Sequence, residues 1–245
     1  MIKPITKPII LKYEDRMIKM PAEIEENIKK FWSEAIIENP KLFNGENHSV
    51  ESVTEKEDCI EMKVAKTNYA TYLYNERIGI PDKNFRIIHI WSGILLETND
   101  GYFVIGENED TTSIPKCLQI PGGGTSDEDI IDGELDINFN LKRELKEELN
   151  LNLDDIKYEM KYLECPTENR SVYGFLAVGK LDMTKEELNI HFENYKKYLK
   201  ENDLEIEFSR LIFLNKNAAI DELDKLDNPK REYLRDLIEA SMKNS

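Results

Sequence analysis

Between Ile137 and Asn150 the chain reads INFNLKRELKEELN, and helical geometry turns that spelling into a constraint. At about 100° per residue, Glu144, Glu147 and Glu148 fall within an arc of roughly 100°. Ile137, Leu141, Leu145 and Leu149 run along the adjacent stripe, and Lys142 and Lys146 point away. The apolar stripe predicts a helix that packs on a sheet. Three carboxylates at the margin of that buried face repel one another and lose solvation, which is unfavourable without a cation. Mg²⁺ or Mn²⁺ takes several oxygen ligands and keeps waters that a substrate phosphate can replace, so the spacing suits either ion.

The tetrapeptide KEEL alone carries little information. It recurs at 185–188, where no Arg-Glu precedes it and no glycine-rich loop lies upstream. In a chain that is 33% charged, such a helix face is ordinarily solvated, and that is the expectation for the second copy. The first copy differs in its context. Arg143 and Glu144 stand in front, Asn150 is a suitable helix stop, and the short strand CLQIPGGG lies upstream.

The rest of the chain supplies strands and helices in alternation. Strand candidates are IILKY, residues 48–66, the hairpin RIIHIWSGILLET–NDG–YFVIGE, YEMKYLE, SVYGFLAVGKLD and RLIFL. Helical patterns cover AEIEENIKKFWSEAIIEN, ending before Pro40, then TNYATYLYNERI, residues 184–201, and NPKREYLRDLIEASMK. This interleaving predicts an α/β sandwich with a mixed sheet, residues 85–245, preceded by an α+β extension over residues 1–84.

Composition narrows the partners. With 33 Lys and Arg against 49 Asp and Glu, the net charge of −16 disfavours nucleic acid, and no basic stripe offsets it. No apolar run approaches 18 residues, and the start has too short an apolar core for a signal peptide. Cys59, Cys117 and Cys165 lie far apart, which fits reduced thiols in a cytoplasmic protein. A homodimer is compatible with all of this.

Arg143, Glu144, Leu145, Glu147, Glu148 and Leu151 resemble the second half of the Nudix hydrolase signature, G-x5-E-x7-R-E-U-x-E-E-x-G-U. The resemblance covers about residues 85–215, including the hairpin and the IPGGG strand end. It implies a Nudix-type α/β/α sandwich and a small-molecule nucleotide substrate. It also implies metal binding by Glu144, Glu147 and Glu148, a carboxylate oriented by Arg143, and a catalytic part for Arg143 and Glu147. The first half of the signature departs. Its glutamate falls on Leu135, with Glu134 one position early, and its glycine falls on Asp129. Asp127, Asp129 and Gly133 do not make a calcium loop, because Ile131, Asp132 and Asn138 stand where an EF-hand needs other residues.

The expected chemistry is metal-assisted hydrolysis of a diphosphate. Proton acceptors are Glu147, Glu205 or Glu207, although late glutamates of this kind are more often surface acids. Gly123, Gly124 and Arg86 are candidate substrate contacts, with Lys116 and Arg170 as further cations. Trp91, Tyr69 and Tyr72 could stack on a base, although aromatics in such elements more often belong to the core. Segments ENPKLFNG and TNYATYLYNE loosely resemble the Nudix branch that cleaves UDP-glucose and UDP-galactose; ADP-ribose is the other substrate considered. A non-catalytic Nudix-fold binding module and an acidic interaction protein are the competing readings.

Overall fold

Strand β5 (His89–Glu97) is buried along almost its whole length, so both of its faces need cover. Ile94 and Leu96 pack against Leu141, Leu145 and Leu149 of helix α3 (Ile137–Leu149) and against Leu188 and Phe192 of α4 (Lys185–Glu201). Trp91 and Leu95 pack against Tyr233, Leu234, Leu237 and Ile238 of α6 (Tyr233–Lys243), beside α5 (Ala219–Asp224). The result is helix, sheet, helix in layers, the expected α/β sandwich. The computed structural model describes residues 1–112, 114–168 and 170–243.

Among the described residues twelve strands join one mixed sheet. β1 (Ile2–Pro4) pairs with β10 (Lys157–Glu164), and β10 pairs with β11 (Val172–Lys180), which runs parallel to β5. On the other side of β5, β3 (Glu46–Glu55) meets it at Ser49 and His89 and pairs along its length with β4 (Ile60–Asn68). β2 (Ile9–Met17) lies parallel to β4. The 1–84 segment therefore shares the sheet of the main body, and α1 (Ala22–Glu38) and α2 (Tyr69–Arg77) close a smaller core around Ile28, Tyr74 and Ile87.

The hairpin is shorter than its sequence suggests. β5 and β6 (Tyr102–Asn108) share only the pairs Leu96–Val104 and Glu97–Phe103. Beyond them that edge of β6 pairs with β7 (Leu118–Gln119), while β12 (Phe208–Asn215) pairs with β6 along its whole length. The edge of β5 left behind is taken by the proline-glycine segment: Ser92 N–H donates to the Gly123 carbonyl at 3.1 Å and Ile94 N–H to the Pro121 carbonyl at 2.9 Å.

Two further segments depart from expectation. The polar stretch before α3 folds into a small hairpin of β8 (Ile130–Ile131) and β9 (Glu134–Leu135), turning at Asp132 and Gly133, both in the left-handed region. The closing helix begins at Tyr233 rather than Asn228, because residues 229–231 run beside β7. There the Leu118 N–H donates to the Pro229 carbonyl at 2.8 Å and the Arg231 N–H to the Leu118 carbonyl at 3.1 Å.

Helix α3 is bounded as its sequence suggests. The Asp136 side chain accepts from the N–H groups of Asn138 and Phe139, and Asn150 ends the helix at φ 52°. The second KEEL opens α4 in a capping box, with Thr184 N–H donating to Glu187 at 2.8 Å and Glu187 N–H to Thr184 Oγ1 at 3.2 Å. Its glutamates are solvent-exposed, and one of them finishes the helix start. Leu145→Ala, in the fully buried stripe, is expected to cost about 2–5 kcal/mol in urea unfolding. Phe139→Ala, on the exposed side of the same helix, should stay within about 0.5 kcal/mol of the parent.

Candidate active site

The glycine segment and α3 meet through their backbones and carboxylates. Gly122 N–H donates to Glu148 Oε2 at 2.7 Å. Gly122 sits at φ 140°, and a Cβ there would lie 2.1 Å from the Ser92 carbonyl oxygen. A Cβ on Gly123 would lie 2.4 Å from Glu144 Oε2. Gly122 thus needs glycine for conformation and for space, whereas a side chain at Gly123 would displace the Glu144 carboxylate. Glu144 and Glu148 are only 8% and 6% exposed.

Arg143 is locked from the far side of the loop. Its Nε and Nη2 donate to the two carboxylate oxygens of Asp129 at 3.2 and 3.1 Å. It also pairs with Glu144 at 2.8 Å and Glu147 at 3.1 Å and donates to the Gly124 carbonyl at 3.3 Å. Asp129 has no exposure at all; Asn140 Nδ2 and Ser126 N–H also donate to it, at 3.0 and 2.8 Å. Asn140 in turn accepts from Ser92 Oγ at 2.5 Å, which ties the loop to β5. Asp129, which stands where the signature has its glycine, is therefore the main anchor of Arg143. Glu134 lies elsewhere, paired with Lys12 on the surface, and Leu135 is in the core.

Burial dominates the electrostatics of the acids. It raises Glu144 to about 8, against the pull of Arg143 and with help from Glu207 and Glu147. Glu148 is pushed well above the ordinary carboxylate range by burial and by Glu207 and Glu144, with the Gly122 N–H opposing. Glu207 is raised by burial and then by Glu205. Among the described residues Glu148 Oε1 has no hydrogen bond of good geometry, and the Glu207 carboxyl is the neighbour close enough to interact with Glu148. Glu147 stands apart, its side chain 58% exposed and held by Arg143. Among the described residues, no group of three or more His, Cys, Asp and Glu side chains is drawn together as a metal set. The buried pair Glu144 and Glu148, with one oxygen lacking a well-formed hydrogen bond and only acceptor atoms when ionised, is still the place where a divalent cation would relieve the most charge.

A cleft of about 340 Å³ opens beside this pair. Gly122, Gly123, Gly124, Arg143, Glu144 and Glu207 line it. The expectation that Glu207 is a surface acid is corrected: it is half-buried, lines the cleft and accepts from Gln119 Nε2 at 3.3 Å, whereas Glu205 is exposed. Arg170, Trp91, Tyr69 and Tyr72 also line the cleft. Arg86 does not; it donates to the Glu168 carbonyl at 2.7 Å, and Lys116 lies near Asp110 on the surface. The 1–84 segment supplies Asn47, Tyr69 and Tyr72, so one wall comes from the extension.

The sequence pattern marks none of His89, Arg231 and Asn140 as site residues, and it places Asp129 at the signature's glycine without its role as an anchor. Strand alternation was the available signal for His89, which shares a face of β5 with Trp91. His89 Nδ1 lies 2.7 Å from Asn47 Oδ1, and its ring packs 4.4 Å from that of Tyr72. The others are joined to the site only by folding.

No protein-family model matches the sequence, and neither does any curated protein. Among solved structures the chain is similar to a Nudix hydrolase from Nitrosomonas europaea, at 15% identity over 64% of this chain and 89% of that one, with a TM-score of 0.41. It is similar to a Nudix hydrolase from Alicyclobacillus acidocaldarius at 9% identity, 64% and 91% coverage and a TM-score of 0.46. A MutT protein from Methanosarcina mazei Go1 gives 15% identity, 64% and 95% coverage and 0.40. At such identities and scores the functional reading has to stand on the site itself.

The wall histidine gives a pH signature. Burial, reinforced by Arg170, His48 and Arg231, pushes His89 down to about 3 from an ordinary 6.5. The unfolded chain therefore takes up the proton first, and stability from this residue is present above pH 6.5 and lost as pH falls towards 3. Between pH 7 and pH 5 the wild type should lose about 2 kcal/mol more than His89→Gln, read by urea unfolding of both proteins.

Proposed function

We propose that the chain is a divalent-cation-dependent Nudix-type hydrolase acting on a nucleoside diphosphate linked to a second moiety. Water adds to one phosphorus, the bond to the bridging oxygen breaks, and the products are a nucleoside monophosphate and the phosphorylated moiety. The observation that carries this reading is the buried Glu144–Glu148 pair, set against glycines 122 and 123 and braced by Arg143.

Glu144 and Glu148 are the residues that would hold Mg²⁺ or Mn²⁺, with Glu147 the third member of the set read from sequence. The ion would neutralise phosphate charge and acidify a water. Arg143, fixed by Asp129, keeps Glu144 at the cleft rather than in solvent. Glu207, which lines the cleft, accepts from Gln119 and has its carboxyl raised by burial, would take the proton from the attacking water. Tyr69 and Tyr72 present aromatic surface to a base or sugar. Both lie in TNYATYLYNE, one of the segments resembling the UDP-sugar branch, so UDP-glucose is the first substrate to try and ADP-ribose the second.

One observation favours a second reading. The third glutamate is turned to Arg143 and the acids form no closed metal set among the described residues, as expected of a nucleotide-binding module without catalysis.

Turnover of UDP-glucose and ADP-ribose with Mg²⁺ or Mn²⁺, read by product identity, separates the two. Cleavage to monophosphates is expected, and Glu144→Gln or Glu148→Gln should lower kcat about a thousandfold through several kcal/mol of lost charge stabilisation. Calorimetric nucleotide binding with neither metal dependence nor cleavage would instead establish the module.

A further inference from the structure

Among the described residues, one guanidinium lining the cleft has no carboxylate in direct contact and feels Glu164 and Glu207 only at longer range. Arg143 is matched by Asp129, Glu144 and Glu147. Arg170 pairs with Glu164 at 3.3 Å, and the other oxygen of that carboxylate takes the Trp91 Nε1–H at 3.1 Å. Arg231 is half-buried and lines the same cleft, yet among the described residues no carboxylate lies within ion-pair distance of it. Its one side-chain partner there is Gln119 Oε1, which accepts from Nε at 3.1 Å. A guanidinium carries five N–H donors, and withdrawing it from water without a counter-charge is unfavourable. In a chain with 49 acidic residues, the missing partner is informative.

The position of Arg231 is set by the fold rather than by its own side chain. Its backbone is tied to Leu118, beside β7, in the segment that departs from helix. Gln119 then spans the cleft floor, with Oε1 accepting from Arg231 and Nε2 donating to Glu207 at 3.3 Å. One amide therefore orients Glu207 and Arg231 together, and its two polarities fit only this arrangement. The Arg170 guanidinium lies 5.9 Å from the ring of Tyr233, another cleft residue.

We propose that Arg231, with Arg170 lining the same cleft, is an anion subsite for the phosphoryl group of the substrate that is not attacked. The attacked phosphoryl lies at the Glu144–Glu148 pair and its neighbour at the guanidinium groups, one amide side chain away. The site thereby selects two adjacent phosphoryl groups over a single one. The assignment of which phosphoryl sits where rests on the proposed hydrolysis; the anion site itself needs neither metal nor turnover.

The test is calorimetry on the metal-free full chain in EDTA, with inorganic pyrophosphate, AMP and adenosine as probes. Wild type should bind pyrophosphate, and should bind AMP more tightly than adenosine. Arg231→Gln should weaken pyrophosphate at least tenfold and bring AMP and adenosine to similar affinities, leaving adenosine unchanged. Arg231→Lys, which keeps the charge and loses the fork, should fall between. The wild-type affinity should also drop more steeply with salt than that of Arg231→Gln.

A labelling experiment needs no variant. Phenylglyoxal modification of Arg231 in the wild type, mapped by peptide mass, should be suppressed by pyrophosphate. Unchanged pyrophosphate affinity in a folded Arg231→Gln, or unprotected labelling of Arg231, would overturn the proposal. Absence of hydrolysis on every diphosphate tried would remove the proposed reaction and leave these binding results standing.

Discussion

The bond from Gly122 N–H to Glu148 is the joint on which the site depends. It requires a backbone at φ 140° pressed against the Ser92 carbonyl, which a side chain at residue 122 would forbid. The same segment fills the edge of β5 that β6 leaves after two residue pairs. Sheet edge, loop and helix are therefore fixed together, and two glutamates end up out of water within reach of one loop. Their raised proton affinity follows from that burial, not from any special property of the residues.

Around this joint the cleft is lined by both acids and guanidinium groups. Glu144 and Glu207 line it with Glu148 close by, and Arg170 and Arg231 line the same cavity. Gln119 connects Glu207 and Arg231 through opposite halves of its amide. The polar stretch before α3 contributes Asp129 as the anchor of Arg143, and the 1–84 segment contributes Asn47 and two tyrosines. The 1–84 segment lies outside the resemblance in the sequence, yet it supplies one wall of the cleft in the fold.

Much of the framework was legible in the sequence. The stripe Leu141, Leu145 and Leu149, the stop at Asn150 and the arc of glutamates all follow from helical period alone. The repeat of KEEL showed that context matters more than the tetrapeptide, and the second copy proves to be a helix start. Asp129 was not legible as the arginine anchor because its contact crosses 14 residues and a hairpin. Glu207 resembled any surface acid, since its burial depends on β12 lying beside β6. Arg231 was hidden by a helical pattern that backbone pairing with β7 overrides.

Glu147 illustrates the boundary between the two kinds of information. Its spacing places it with Glu144 and Glu148, yet its carboxylate is exposed and held by Arg143. The sequence by itself determined element type, helix faces and helix ends, because those follow from neighbours a few residues apart. Only the tertiary structure decided which charges are buried, which are paired and which are left open. Those outcomes depend on desolvation and on contacts between segments far apart in the chain.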